Sequence, residues 1–405
     1  MLYLNKFIVA LVLLVPVSIG AFNPAAEVLA AVAFVLSLVA MPFVLTQWSA
    51  VSNSVRKLIV LLAIYYGIGL IGLFLNGIDN VATHNALGTT GHFIIVIPIL
   101  VVMQVTNVDE KWFWSAVIAG AISNGCYSLF LEQRGSINPI LYGDISIFLA
   151  FASLMAWRLH PASTIVKGLA LLGFILGGIA SFYSLSRGSW IAIPGFFIIF
   201  ALYLYLSIPN NSKRIQLFVG ALVLLVAVAW FNYDKVVHRL NVGIEDVVDY
   251  QNSGHYTSSV GYRLEVYKGA IEVIRRNPVF GIGLGSEMNA INKLAQEGNV
   301  EDVSYLTNVH NQILQEGVSK GLLGIFSYFI LMGYLLYIFL IGMLKSPKFR
   351  EVHTVGVLMI AGYFIFGLTN ITFTHGVFNT FFVCMLALML SVKGLLKDFD
   401  AKVSQ

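Results

Sequence analysis

Charge is scarce in this chain of 405 residues. Lys, Arg, Asp and Glu make up 11% of it, against 58% hydrophobic residues, where a soluble domain carries about 25% charged residues. That deficit excludes an ordinary cytosolic enzyme and a disordered chain. Cysteine is scarcer still. Cys126 and Cys384 are the only two, both inside apolar runs, which argues against a disulfide framework and a cysteine metal site. There is no P-loop, HExxH, CxxC or GxSxG, so ATP use on this chain and zinc-based hydrolysis are not expected. Internal repeats, low-complexity tracts and Gly/Ser linkers are also missing. The first apolar run, 7–22, shows no clear small-residue cleavage pattern before the next run begins, and reads as a retained span instead of a signal peptide.

What the chain does contain is long apolar runs, with a mean hydropathy of +0.83. They fall at 7–22, 26–46, 57–76, 88–106, 111–131, 139–158, 165–184, 189–207, 213–232, 312–344, 354–371 and 375–393. A bilayer core needs about 20 apolar residues per helix, so the pattern predicts an all-α polytopic membrane protein of twelve transmembrane helices. The tenth run is too long for one plain span and should tilt or stand proud of the membrane. With the N-terminus in the cytoplasm, 14 of the 24 Lys/Arg fall on inside segments and the short outer loops carry only Arg134 and Arg187. Both termini are then cytoplasmic. The net charge of +4 reflects those inside segments and not nucleic-acid binding. Four regions follow: 1–232 with nine helices, a large outer loop at 233–310, 311–393 with three helices, and a cytoplasmic tail at 394–405, whose Asp398 and Asp400 look solvated. Loops as long as 233–310 are uncommon without a function.

Arg187 stands in Ser186-Arg187-Gly188 between two apolar runs. A cation at that depth is costly and is functional or paired; the alternatives are a snorkelling side chain or a partner for Asp144 or Glu132. Tyr262 to Arg276 reads as an amphipathic helix with Leu264, Tyr267, Ile271 and Ile274 on its apolar face and Lys268, Glu272 and Arg275 as a solvated ion-pair row. Arg263 lies off that row, over Tyr267, Ala270 and Ile274, where its fork could grip phosphate or carboxylate or its stem could simply pack. Asn277-Pro278 stops the helix, and Gly281-Ile282-Gly283-Leu284-Gly285-Ser286 reads as a tight, flexible turn whose amides could touch a phosphate.

His310 precedes the tenth span. A helix N-terminus and nearby arginines would keep its ring neutral, fit to accept a proton; a capping or interfacial histidine is the alternative. Glu316 and Lys320 read as a structural i, i+4 pair. Asp144 and Arg134 are weaker candidates, as a second carboxylate in the site or as each other's partner. Glu245, Asp246 and Asp249 read as a solvated acidic helix before a divalent-metal site. Two guanidiniums suit a diphosphate and a neutral histidine suits a hydroxyl, which together describe group transfer from a diphosphate-linked lipid to an alcohol.

At three places the sequence resembles the O-antigen ligase family, which shares its fold with O-antigen polymerases and protein O-oligosaccharyltransferases. These are Ser186-Arg187-Gly188, the run Arg263…Arg276-Asn277-Pro278-Val279-Phe280-Gly281-Ile282-Gly283-Leu284-Gly285, and His310-Asn311-Gln312-Ile313-Leu314-Gln315 with Gly321-Leu322-Leu323-Gly324. The resemblance implies a GT-C-like helical fold with one large, partly helical periplasmic loop between helices 9 and 10. It implies a glycosyltransferase of the bacterial inner membrane without cofactor or metal. Such an enzyme moves polysaccharide from undecaprenyl diphosphate to a hydroxyl of lipid A–core on the periplasmic side, with inversion. Arg187 and Arg263 would hold the donor diphosphate, His310 would act on the acceptor hydroxyl, and Asn311 is a further site candidate. The partners implied are the lipid-linked polysaccharide, lipid A–core and membrane lipids, and no nucleic acid. A polymerase with the same donor is the first alternative. A protein O-oligosaccharyltransferase and a transporter without chemistry follow.

Overall fold

A computed structural model of the chain describes residues 2–76, 81–131, 134–158, 163–230, 233–253 and 256–403. The described residues form sixteen α-helices and no strand: α1 (Leu2–Ser18), α2 (Asn23–Val44), α3 (Asn53–Asn76), α4 (Val81–Thr106), α5 (Glu110–Leu131), α6 (Pro139–Met155), α7 (Thr164–Ser184), α8 (Arg187–Ser207), α9 (Asn211–Trp230), α10 (Tyr233–Ser253), α11 (Ser259–Arg276), α12 (Glu287–Gln296), α13 (Gln312–Lys345), α14 (Arg350–Phe366), α15 (Gly376–Leu390) and α16 (Leu395–Val403). Each of the twelve apolar runs coincides with one helix. Among the described residues, nine helices are long and apolar enough to cross a membrane; α1, α6 and α15, of 17, 17 and 15 residues, are shorter.

The outer surface matches a lipid environment. Phe74, Phe130 and Ile198 are 90%, 82% and 71% exposed, a pattern that water would penalise and acyl chains would not. The interior is sealed by helices that are apolar all round. Val377 to Leu390 of α15 are buried without exception, as are nearly all of Leu141 to Met155 of α6. Enclosed by protein, these two short helices need not match the thickness of a lipid layer. Small residues let α7 approach its neighbours closely: a methyl at Gly177 would sit 3.0 Å from Ala150 Cβ of α6.

The connection from α9 to α13 folds against one end of the bundle. Val266, Ala270 and Val273 of α11, Ile291 and Leu294 of α12, Val303, Val309, and Val318 of α13 form a second apolar core there. The buried face of α11 is not the expected one. Gly261, Glu265, Val266, Gly269, Ala270 and Val273 face inward, while Ile271 is 47% exposed. The reason is steric: Gly269 leaves room for Ile291 of α12. Of the expected ion-pair row, Glu272 and Arg275 do pair, at 4.0 Å, while Lys268 pairs with Glu265 at 2.7 Å.

Two glycine segments decide the shape of α13. Its helix is interrupted at Gly321, where φ is 66°. The turn after Asn277 crosses at that break. Ile282 and Gly283 donate to Val318 and Ser319 carbonyls, and Leu322 donates to the Pro278 carbonyl at 2.7 Å. A methyl on Gly281 or Gly321 would collide with the opposing backbone. The long tenth run is therefore interrupted by a break at Gly321. The turn is bonded in place, and the Ile282 and Gly283 amides are committed to α13. Nor is the tail a solvated end: Ser54 donates to Asp400 at 2.7 Å and Ser346 pairs with Asp398, docking α16 at the other end of the bundle.

Candidate active site

The corner between α7 and α8 builds half of the site. Leu185 adopts a left-handed backbone, φ 55°, which ends α7 and turns the chain into α8. The last carbonyls of a helix lack partners and carry partial negative charge. Here arginines take them. Arg134 donates from Nε and Nη2 to the Ser184 carbonyl at 2.9 and 2.7 Å, and Arg239 of α10 donates to the Leu185 carbonyl at 3.5 Å. Arg187, the first residue of α8, donates to the Arg239 carbonyl at 3.2 Å and pairs with Asp246 at 3.8 Å. Arg134, Arg187, Arg239 and Arg263 then line one cavity of about 70 Å³, with Ser186, Ser259 and Thr369.

Four guanidiniums share this space, and Asp246 makes the only ion pair with any of them among the described residues. Burial, and then repulsion from Arg239, lower the proton affinity of Arg134. Burial leads for Arg263 as well; Tyr267 opposes it and Arg239 adds to it. Guanidinium remains charged through such shifts, so the excess positive field stays. An anion entering here would relieve it.

Arg263 and Ser259 also line a second cavity of about 550 Å³, with His310, Tyr262, Tyr305, Thr257, Leu306 and Thr307. His310 has a left-handed backbone, φ 54°. Its amide donates to Asn308 Oδ1 at 2.9 Å and its carbonyl accepts from the Tyr267 hydroxyl at 2.9 Å. Its Nδ1 is buried and has no hydrogen-bond partner among the described residues. Burial, followed by the charge of Arg263, lowers the imidazole from 6.5 to about 4. The ring is neutral at pH 7, as expected; burial is the leading cause, and of the two expected causes the nearby arginine contributes through Arg263.

Behind His310 the chain is tightly held. Asn311 caps α13 by accepting from the Leu314 amide at 3.1 Å and donates to the Leu368 carbonyl at 3.2 Å. Gln312 accepts from the Phe373 amide at 2.8 Å and donates to Glu316 at 2.6 Å. Glu316 also accepts from Tyr65 at 2.6 Å and from Lys320 at 2.7 Å, with the two charged side chains 0% and 1% exposed.

The sequence-derived residues thus fall into groups. Arg187 and Arg263 meet in the basic cavity, with Arg134 beside them. Arg263 and His310 meet in the larger one. Asn311 serves as a cap. Asp144 lies in α6, 1% exposed, outside the linings of both cavities, and Arg134 bonds Ser184 instead of Asp144. Neither Asp144 nor a solvated position explains the pairing of Arg187: its partner is Asp246, 15% exposed, from the supposedly solvated helix. Glu132, the other partner considered, lies outside the described residues. Among those residues no group of His, Cys, Asp and Glu is arranged to hold a metal ion. Arg239 was missed. Its signal is the spacing Arg239, Gly243, Asp246, which puts the three on one face of α10 against Arg187.

Residues 172–329 match the family model described as O-antigen ligase. The match supports a resemblance to the O-antigen ligase family over that segment of the chain. The matched segment holds Arg187, Arg239, Arg263 and His310, together with the crossing of the 277–286 turn and broken α13. Members of this family are glycosyltransferase-like enzymes acting on polysaccharide and lipid substrates. Over 288 residues the chain is 25% identical to an uncharacterized protein of Haemophilus influenzae, covering 67% of this chain and 70% of that one. Over 190 residues it is 30% identical to the O-antigen ligase of Escherichia coli K12, covering 43% of this chain and 44% of that protein. The latter match thus spans less than half of the ligase.

Proposed function

We propose that the protein is an O-antigen ligase, transferring polysaccharide from undecaprenyl diphosphate to a hydroxyl of lipid A–core at the periplasmic face of the inner membrane. The observation that carries this reading is the position of Arg263, shared by the four-arginine cavity and the His310 cavity. A diphosphate held by Arg187 and Arg263 would place the first sugar's anomeric carbon toward His310. Arg134 and Arg239 would add field. A ring nitrogen of neutral His310 takes the acceptor proton as the acceptor oxygen bonds the anomeric carbon. The bond from that carbon to the phosphate oxygen breaks, and undecaprenyl diphosphate leaves with the electron pair. Attack from the face opposite the leaving group inverts the centre. Positive charge aimed at a leaving anion is the main requirement, and the guanidiniums supply it. A positioned base contributes about 10²–10⁴-fold.

The three shorter apolar helices complete twelve spans in this reading. The end of the bundle opposite the site carries Lys111, Lys213, Arg214, Lys345, Lys348, Arg350 and Lys393, which supports the reading that this end is cytoplasmic and the site periplasmic. A deletion strain tests the function. Lipopolysaccharide should run as bare core while long polysaccharide accumulates on its lipid carrier. Core bearing a single repeat would make the protein a polymerase with the same donor chemistry, and an unchanged pattern would remove both roles.

A further inference from the structure

We propose that Tyr305 and Tyr262 form a stacking platform for a sugar ring in the larger cavity, an inference that rests on the glycosyl-transfer reading. Exposure alone would mean nothing, because single exposed aromatics are ordinary. Tyr305 is exposed in a particular way. The residue is 78% exposed, yet Val303 and Val309 on either side are fully buried. The turn between them is closed by Leu306 donating to the Val303 carbonyl at 2.9 Å and Ser304 donating to Asp302 at 2.9 Å. The backbone is anchored on both sides and the ring is held out.

The ring does not stand alone. Tyr262 of α11 lies 5.6 Å away, centroid to centroid, with 33° between the planes. Tyr256 backs Tyr262 edge-on at 5.9 Å and 81°. Tyr262 and Tyr305 line the same cavity as Arg263 and His310, with the hydroxyl-bearing Thr257, Ser259 and Thr307. A sugar ring has two unlike surfaces. Its polarised C–H face packs on the negative face of an aromatic ring, as positively polarised edges do, and its rim of hydroxyls needs hydrogen-bonding neighbours. An acyl chain would waste the hydroxyls of this cavity. In the proposed reaction a sugar must lie between the phosphate held at Arg263 and the acceptor oxygen at His310, and this platform lines the cavity that those two residues share. The ring could belong to the donor or to the acceptor, and kinetics separates the two.

The test uses the full-length protein in lipid nanodiscs with Tyr305→Ala and Tyr305→Trp. Tyr305→Ala should raise KM for one substrate by about three- to tenfold with kcat little changed, and Tyr305→Trp should restore it. A donor effect assigns the donor sugar to the platform and an acceptor effect the acceptor sugar; unchanged KM for both overturns the proposal. Saturation-transfer NMR with free polysaccharide, lacking lipid and diphosphate, supplies a readout that needs no transfer. Wild-type contacts should weaken in Tyr305→Ala and Tyr262→Ala. Equal contacts in all three, or none in the wild type, overturn the platform. Tyrosine-dependent contacts in a protein that transfers nothing would leave the platform standing and reject the glycosyl-transfer reading.

Discussion

Arg187 begins a helix with a positive charge at the end where the helix dipole disfavours it. Its surroundings meet that cost from α10: Asp246 at 3.8 Å, the Arg239 carbonyl at 3.2 Å, and the missing side chain of Gly243. A methyl at Gly243 would overlap Arg187 Nη1. Gly243→Ala should therefore push the guanidinium aside while favouring the helix by about 1 kcal/mol. The expected outcome is a higher KM for donor in a protein that melts no lower than wild type; unchanged donor KM would mean that Arg187 holds nothing. His310 carries a prediction of its own. In the proposed reaction its neutral form is the working one, so activity should be lost as pH falls through its pKa. In the free protein that value is about 4, and kcat/KM should hold through pH 5–6. A bound diphosphate would offset Arg263 and raise the value, so the acid limb of kcat should lie at higher pH than that of kcat/KM. Coincident limbs at 6.5 would contradict the burial of this ring. The same shift acts on stability. An unfolded histidine binds its proton near 6.5 and the folded one near 4, so stability falls as pH drops across that interval.

At the scale of elements, the crossing of the 277–286 turn with broken α13 holds the His310 end of the site. Lys320 lies immediately before the break, buried on Glu316 at 2.7 Å and 3.8 Å from the centre of the Tyr65 ring. Removing one partner of a buried pair strands the other charge, at a cost of about 3–5 kcal/mol. Lys320→Met should lower thermal stability and transfer together, and adding Glu316→Gln should recover much of the stability by neutralising the stranded carboxylate. A double variant no more stable than the single one would show that the hydrogen bonds of Glu316 to Tyr65 and Gln312 matter more than its charge. The sequence showed the Glu316–Lys320 spacing but not its burial, because i, i+4 pairing is the same on an exposed face. It likewise misread α11. Large apolar residues marked an apparent face, while the true contact is made through Gly269 and Ala270, whose value is the space they leave.

For the whole molecule, the apolar runs were legible because hydropathy over about 20 residues survives any detail of packing. Arg187, Arg263 and His310 were legible because charge is rare in such a chain and each stood at a break in an apolar or helical pattern. Their convergence was not legible: it depends on α10 and α11 folding back over the α7–α8 corner, and nothing local encodes that. Arg239 was hidden for the same reason, as one basic residue among several in a long polar connection. Asp246 was misjudged because a carboxylate on an amphipathic helix gives no sign of which cation will reach it. Among the described residues, Arg134, Arg187, Arg239 and Arg263, with Asp246 as their one ion-pair partner, lie at the same end as His310, beneath the long connection, and that concentration is the basis of the proposed reaction.

The most direct measurement is transfer by the purified protein in lipid nanodiscs, from undecaprenyl-diphosphate-linked polysaccharide to lipid A–core, with wild type, Arg263→Ala and His310→Ala compared at equal thermal stability. The account predicts product from wild type only, with a loss of at least about 100-fold in each variant. Wild-type rates from either well-folded variant would contradict it.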